Sequence, residues 1–435
     1  MSAPRDLLLV GVGTMGRPYL EAAARLGLRV RAVEAAAGWE GRPLGLAEDF
    51  YRVDGREEEH WTAAVARAVA DREPDGVVSF AEPHVLAGAL VQERLGLPGP
   101  SLHAAVVSRN KALQRALFAA HGVRQPGHLL VADVADARDW MLERLPVVVK
   151  PLTRAGSEGV ELVRSPEEAA EVVARRSGEG KVLVEEAVEG PEYSWEALVR
   201  DGEVLFENVT AKETTPPPYF VELTHRCAHR FEDGEPAARV HELTRRVLGA
   251  VGMRTGLVHL EFKVGRHGPA LMEIAVRTPG DYLPDAVGLA YGFDLYEAVL
   301  RLALGLPVDE LIRTEPVSWP ATHFPTAAPG TITAITGVEE TAAHPSVVRV
   351  RLRKRPGDTV LPLTSSSRRM GHVLVDAPSP TEREDALKRV RQTLRITTRK
   401  NTADETTAEK PTAEKPTAEK PTAEKPATEQ HRPPR

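Results

Sequence analysis

The chain has 435 residues, too many for one ordinary hydrophobic core, so two or three domains are expected. Its composition, 42% hydrophobic and 27% charged, is that of a soluble globular protein. A net charge of −6 with no large Lys/Arg cluster argues against nucleic acid as a partner and for small molecules.

Cys227 is the single cysteine, which rules out an intrachain disulfide and fits a reducing compartment. It reads as a small buried hydrophobe rather than a nucleophile. The first apolar run, Leu7 to Val12, is too short for a signal-peptide core or a membrane span, so a cytoplasmic protein with no membrane partner is expected. That run is followed by GVGTMG, an amphipathic stretch from Arg17 to Leu26, and a second strand ending in Glu34. The opening is therefore a β-turn-α-β unit. Gly11, Gly13 and Gly16 match GxGxxG, with Glu34 eighteen residues beyond Gly16. Two readings stand: a dinucleotide fingerprint with Glu34 on a ribose hydroxyl, or a tight turn that needs glycine in any case.

GVVSF at 76–80 is another buried strand, and Glu82 follows its C-terminal end, where open α/β sheets present ligand groups. Glu82 is a substrate candidate or a surface carboxylate. LGLPGP closes this domain near residue 100. Residues 104–121 have a helical pattern stopped by Gly122 and carry Lys111. Helices are also expected at 133–144 and at 166–176, the latter with Ser165 as N-cap and Pro166 at its first position.

The most informative stretch is 147–194. VVVKP ends a strand with Lys150, TRAGSEGV supplies a Gly/Ser-rich turn, and VLVEEAVEGPEYS ends a second strand in Glu185 and Glu186. A lysine, a turn able to fold backbone N–H groups over phosphate oxygens, and acceptors for an adenine amino group describe a nucleotide cradle. Glu192 would serve the ribose. A P-loop is excluded, because no GxxxxGK[ST] occurs.

Strands YSWEALV and EVLFENV are joined by a hairpin at 200–203, and Lys212 then reaches a phosphate from the opposite side. The segment 214–231 contains three consecutive prolines and reads as a long loop, with Glu222, His225 and His229 as ligand candidates. An amphipathic helix follows at 239–251. GLVHLEFKV and PALMEIAV read as antiparallel strands in which Glu261 and Glu273 interrupt apolar runs. Burying such carboxylates is costly unless they are paired or bind metal, and oxygen ligands suit Mg²⁺ or Mn²⁺. A helix is expected to run to about 304, preceded by a TPGD turn that brings Asp281 near metal and substrate.

Short strands and a helix at 380–395 make a C-terminal domain. Arg351, Arg353 and Arg355 would share one face of a strand there. TAEKP recurs four times between 407 and 426, and without apolar side chains beyond alanine it cannot build a core, so a disordered tail is expected.

The ordered set Lys111, Lys150, Gly156, Ser157, Gly159, Glu185, Glu186, Glu192, Glu261, Glu273 and Arg277 resembles the ATP-grasp superfamily, in its carboxylate-amine ligase branch typified by L-amino-acid ligases. The resemblance implies a multidomain α/β and α+β protein. Its parts are a Rossmann-like domain over 1–103, an ATP-grasp fold over 104–312 with a mobile subdomain at about 123–187, a C-terminal lid domain over 313–397, and the tail from 398. Lys111 and Lys150 would bind phosphate, Val188 would join Glu185 and Glu186 at the adenine, and Glu261 and Glu273 would hold metal. Arg277 and Lys212 would assist transfer, while Glu82, Glu222, His225 and Asp281 would face substrate. The implied reaction is ATP-dependent activation of a carboxylate as an acyl phosphate and its capture by an amine, with a homodimer implied by resemblance alone. Where the family pattern Glu-x-Asn-x-Arg has asparagine, this chain has Ala275, which leaves a second metal one ligand short. The alternatives are another ATP-grasp activity, such as a carboxylase or a purine-pathway ligase, or a nucleotide-binding module without catalysis.

Overall fold

The computed structural model describes residues 4–13, 16–35, 46–55, 57–152, 156–232 and 234–400. The repeats of the tail and residues 153–155 of the Gly/Ser-rich turn lie outside these. The chain folds as one contact unit through Arg399, so the fold runs two residues beyond the expected boundary at 397.

β1 (Asp6–Val10), β2 (Arg29–Ala35), β3 (Asp49–Val53) and β4 (Gly76–Ser79) form a parallel sheet in the order β3-β2-β1-β4. Continuous apolar strands demand cover on both faces. α1 (Arg17–Arg25), α2 (Glu58–Asp71) and α3 (Val85–Leu95) accompany it. α4 (Leu102–Ser108) and α5 (Lys111–Ala120) replace the single helix expected at 104–121. Asn110 breaks the pattern: its side chain accepts the N–H groups of Ala112 and Leu113, so it caps a new helix instead of continuing the old one. Lys111 thereby falls on the first turn of α5.

β5 (His128–Val131), β6 (Val147–Pro151), β7 (Glu161–Val163) and β8 (Val182–Glu186) make a separate antiparallel sheet, order β5-β8-β6-β7, backed by α6 (Arg138–Arg144) and α7 (Pro166–Arg176) around its own apolar cluster. The helix expected from 133 begins as a 3-10 turn at Val134–Ala137.

The largest sheet has eight strands. β9 (Glu192–Arg200) and β10 (Glu203–Thr214) form the hairpin, turning at Asp201 and Gly202, both with positive φ. β11 (Glu222–Arg226) occupies part of the segment read as loop: the prolines block a helix, yet VELTHR beyond them still pairs with β10. After α8 (Gly234–Val251), β12 (Gly256–Gly265) and β13 (Gly268–Ala275) pair antiparallel with Glu261 directly opposite Glu273. α9 (Leu283–Tyr291) and α10 (Leu295–Ala303) are two helices where one was expected, because Gly292 caps the first in the left-handed region and Asp294 caps the second.

In the C-terminal part come β14 (Ala321–His323), β15 (Gly330–Thr336), α11 (Val338–Ala342), β16 (Val347–Leu352), β17 (Thr359–Val360), β18 (Gly371–Val375), α12 (Pro380–Thr393) and β19 (Arg395–Arg399). β14, β18 and β16 extend the central sheet, whose order is β13-β12-β9-β10-β11-β14-β18-β16. β16 stops at Leu352, so only Arg351 of the three alternating arginines lies on it, and all three are exposed.

Candidate active site

The cleft lies between the small sheet, the central sheet and α5, and it gathers Lys111, Lys150, Glu185, Glu261, Glu273 and Arg277 on its walls. Lys150, at the end of β6, sits 2.5 Å from Glu185 on the adjacent strand, and Arg115 of α5 reaches the other Glu185 oxygen at 2.6 Å. All three side chains are buried. Burial pushes the Glu185 carboxyl up, but Lys150 and Arg115 together hold it below the usual range. Burial also lowers the Lys150 ammonium, only partly opposed by Glu185. Strand alternation sends Glu186 to the other face, where it is half exposed near Arg144. The two neighbouring glutamates are thus not a pair: Glu185 is a counterion, and Glu186 and Val188 meet the cleft separately.

Gly156, Ser157 and Gly159 all have positive φ, and Gly156 and Ser157 line the cleft. Ser157 tolerates this strained region while its hydroxyl donates to the carbonyl of Phe220 at 3.2 Å.

At the other end Lys111 pairs with Glu273 at 3.0 Å. Gln114 anchors α5 to β13 by bonding both backbone groups of Ile274. Lys212 is enclosed by Glu261 at 2.5 Å, Glu192 at 3.2 Å and Glu222 at 3.8 Å. These three carboxylates converge within 4.8 Å of one another. Burial lowers the Lys212 ammonium, but the ring of carboxylates overrides it and holds it well above its ordinary value. Burial raises Glu261, and Lys212 with His259 drives it well below. Glu192 remains raised, burial outweighing its lysine. Glu192 lines the cleft, and its carboxylate faces Lys212 and, at 3.9 Å, Lys263.

Arg277 donates from Nε to Glu82 at 2.9 Å, and Arg109 approaches the same carboxylate at 3.3 Å. Burial raises Glu82, yet Arg277, Arg109 and Lys111 bring it below normal. Glu82 is therefore a partner of Arg277 rather than a surface group. Asp281 accepts from His225 at 2.8 Å and from Arg369 at 2.8 Å, and its carboxyl is held far below its usual range despite burial. Arg369 stacks 3.8 Å over Phe324. Ser366 donates its backbone N–H to Gly156 and its hydroxyl to Glu222, tying the C-terminal part to both walls. Arg369 and Ser366 escaped the sequence reading because they lie far along the chain with no motif around them.

His229 packs between Tyr193 and Phe231, each 5.0 Å away, outside the cleft. Burial pushes the Cys227 thiol up to about 12, which removes it as a nucleophile. Glu34 settles the N-terminal glycines: its carboxylate accepts the N–H groups of Val12 and Gly13 at 2.8 and 2.9 Å. The donors a dinucleotide pyrophosphate would need are already occupied, and His84 lies where a Cβ on Gly11 would stand.

Residues 143–285 match the ATP-grasp domain family, 20–99 the ATP-grasp N-terminal domain, and 323–399 the L-amino acid ligase C-terminal domain 2. An uncharacterized protein, y4rH, of Sinorhizobium fredii is 30% identical over 89% of this chain and 82% of its own length. The chain belongs to the ATP-grasp superfamily, in its carboxylate-amine ligase branch. The L-arginine-specific L-amino acid ligase of Bacillus subtilis is 24% identical over 73% of this chain and 79% of that one. Carnosine synthase 1 of Gallus gallus is 32% identical over 70% of this chain but only 35% of its own length. The L-amino acid ligase of Bacillus licheniformis superposes with a TM-score of 0.78 at 25% identity, covering 92% of this chain and all of that structure. In this ATP-grasp enzyme no helix among the described residues is long and apolar enough to cross a membrane.

Proposed function

We propose that the enzyme uses ATP to activate the carboxylate of an amino acid or small peptide as an acyl phosphate and joins it to the amine of a second amino acid. The observation that carries this reading is the convergence of Lys111, Lys150, Arg277, Glu261 and Glu273 on one cleft. Phosphoryl transfer asks mainly for positioning and charge neutralisation, and this set supplies both.

Glu261 and Glu273, cross-strand partners whose side chains share one face, are a hard-oxygen pair suited to Mg²⁺ or Mn²⁺. Glu261 and Glu273 would hold such an ion, which would supply charge neutralisation for phosphoryl transfer. Lys111, now on Glu273, and Lys150, now on Glu185, would exchange part of these pairings for phosphate. Gly156, Ser157 and Gly159 would fold backbone N–H groups over it, Glu186 and Val188 would flank the adenine, and Arg277, held by Glu82, would steady the transferring group. A substrate carboxylate oxygen attacks the γ-phosphorus and ADP leaves. The amine then attacks the acyl carbon, orthophosphate leaves with that oxygen, and the ammonium proton is lost. Glu222, on the cleft wall, would face the approaching amine, with Lys212 between it and Glu261 and with Asp281 held by His225 and Arg369. Exclusion of water would fall to the small sheet as it closes, since an acyl phosphate hydrolyses readily.

Incubation with amino acids carrying ¹⁸O in the carboxylate tests the acyl phosphate. The label should appear in orthophosphate, one oxygen per amide formed; its retention in AMP would point to adenylation and overturn the mechanism.

A further inference from the structure

Behind Glu261 a polar chain runs into the middle of the central sheet, and the reaction outlined above does not use it. Glu196 on β9 is wholly buried. Its carboxylate accepts from Ser194 at 2.6 Å, Asn208 at 2.7 Å, Thr210 at 2.9 Å and the His259 Nδ1 at 3.0 Å. The Asn208 amide is fixed in turn, because its oxygen accepts the backbone N–H of Ala228 at 2.9 Å. The other ring nitrogen of His259, Nε2, faces Glu261 Oε1 at 3.3 Å, and His259 lines the cleft.

A carboxylate buried this deeply costs several kcal/mol unless every lone pair is used, and a well-packed apolar cluster would fill the same place without that cost. The hydrogen bonds orient His259, and His259 carries that orientation to the cleft. Lys212 and His259 grip the same oxygen of Glu261, Oε1. That leaves Oε2 as the oxygen not gripped by either.

We propose that His259, braced by Glu196, is a positioning residue that fixes the Glu261 carboxylate so that its second oxygen is presented to the metal. The proposal rests on the reading of Glu261 as a metal ligand. It parallels the way outer carboxylates orient metal-binding groups elsewhere, where removing the outer partner costs roughly 10–100-fold in metal affinity or activity.

The test is Mn²⁺ binding by the full chain with ADP present, followed by electron paramagnetic resonance, for wild type, His259→Ala and Glu196→Gln. Glu196→Gln keeps the shape of the side chain, so it decides the question if the alanine variant does not fold. The expected result is an Mn²⁺ Kd roughly 10–100-fold higher in the variants, with the Kd for ADP alone unchanged. His259→Gln, whose amide can still reach one carboxylate, should recover part of the loss. Equal Mn²⁺ affinity in folded variants and wild type would overturn the positioning role and leave the metal site standing. No Mn²⁺ binding by the wild type would overturn the metal reading itself, and this proposal with it.

Discussion

Replacing Lys212 with methionine is the sharpest structural perturbation of the cleft. The side chain is 1% exposed and lies within 3.8 Å of three carboxylates, which would face one another without it. Breaking a buried ion pair by removing one partner typically costs about 3–5 kcal/mol, against a total stability of about 5–15 kcal/mol. For a fold of this size that corresponds to a fall in Tm of roughly 4–6 °C. The pH dependence has a definite sign. In the wild type Glu261 is depressed by Lys212, so its contribution is present at neutral pH and fades only as acid protonates it. In the variant the crowded carboxylates have raised values, as Glu192 already does, so they destabilise at pH 8 and lose that penalty as protons bind. Thermal unfolding followed by circular dichroism at pH 8 and pH 5.5 should show a large gap between Lys212→Met and wild type that narrows in acid. A variant that melts with the wild type at pH 8, or a gap that widens in acid, would refute the reasoning.

Glu273→Gln should lower amino-acid-dependent ADP release by roughly two orders of magnitude or more, beyond the 10–100-fold typical of an outer-shell change, and unchanged turnover would remove Glu273 from the metal site. Burial holds the His323 imidazole neutral, down at about 4, so the unfolded chain takes up a proton there first as pH falls below 6.5. Between pH 7 and pH 5 this costs about 2 kcal/mol, and His323→Asn should flatten the urea-unfolding profile over that window by the same amount. With Glu34 seated on the N-terminal turn, NADH at millimolar concentration should show no fluorescence change on adding protein, and a saturable change would contradict that geometry.

How much was legible in the chain depends on how local the signal was. Strands with their own apolar pattern, such as 147–151 and 182–186, and helix 166–176 with Ser165 and Pro166 at its start, announced themselves because cap, turn and periodicity sit within a few residues. The helices that proved to be two, at 102–120 and 283–303, failed because apolar periodicity runs through Asn110 and Gly292, whose capping outweighs it. Strand β11 was hidden by the prolines ahead of it. In the site, the charged residues singled out from the sequence were visible but their partners were not. Glu185 reads as an acceptor beside Glu186 until the fold brings Lys150 and Arg115 onto it, and Asp281 gives no hint of Arg369, 88 residues away. Pairings between distant elements follow from packing, which spacing along one strand does not encode.

The most direct test of the ligase reading is nucleotide turnover by the purified chain with Mg²⁺-ATP, supplied with pooled amino acids and then with each alone and in pairs. ADP and orthophosphate should appear only when amino acids are present, in step with a dipeptide seen by mass spectrometry. Turnover that yields AMP and pyrophosphate, or that ignores every amino acid while the protein still binds ATP tightly, would contradict it.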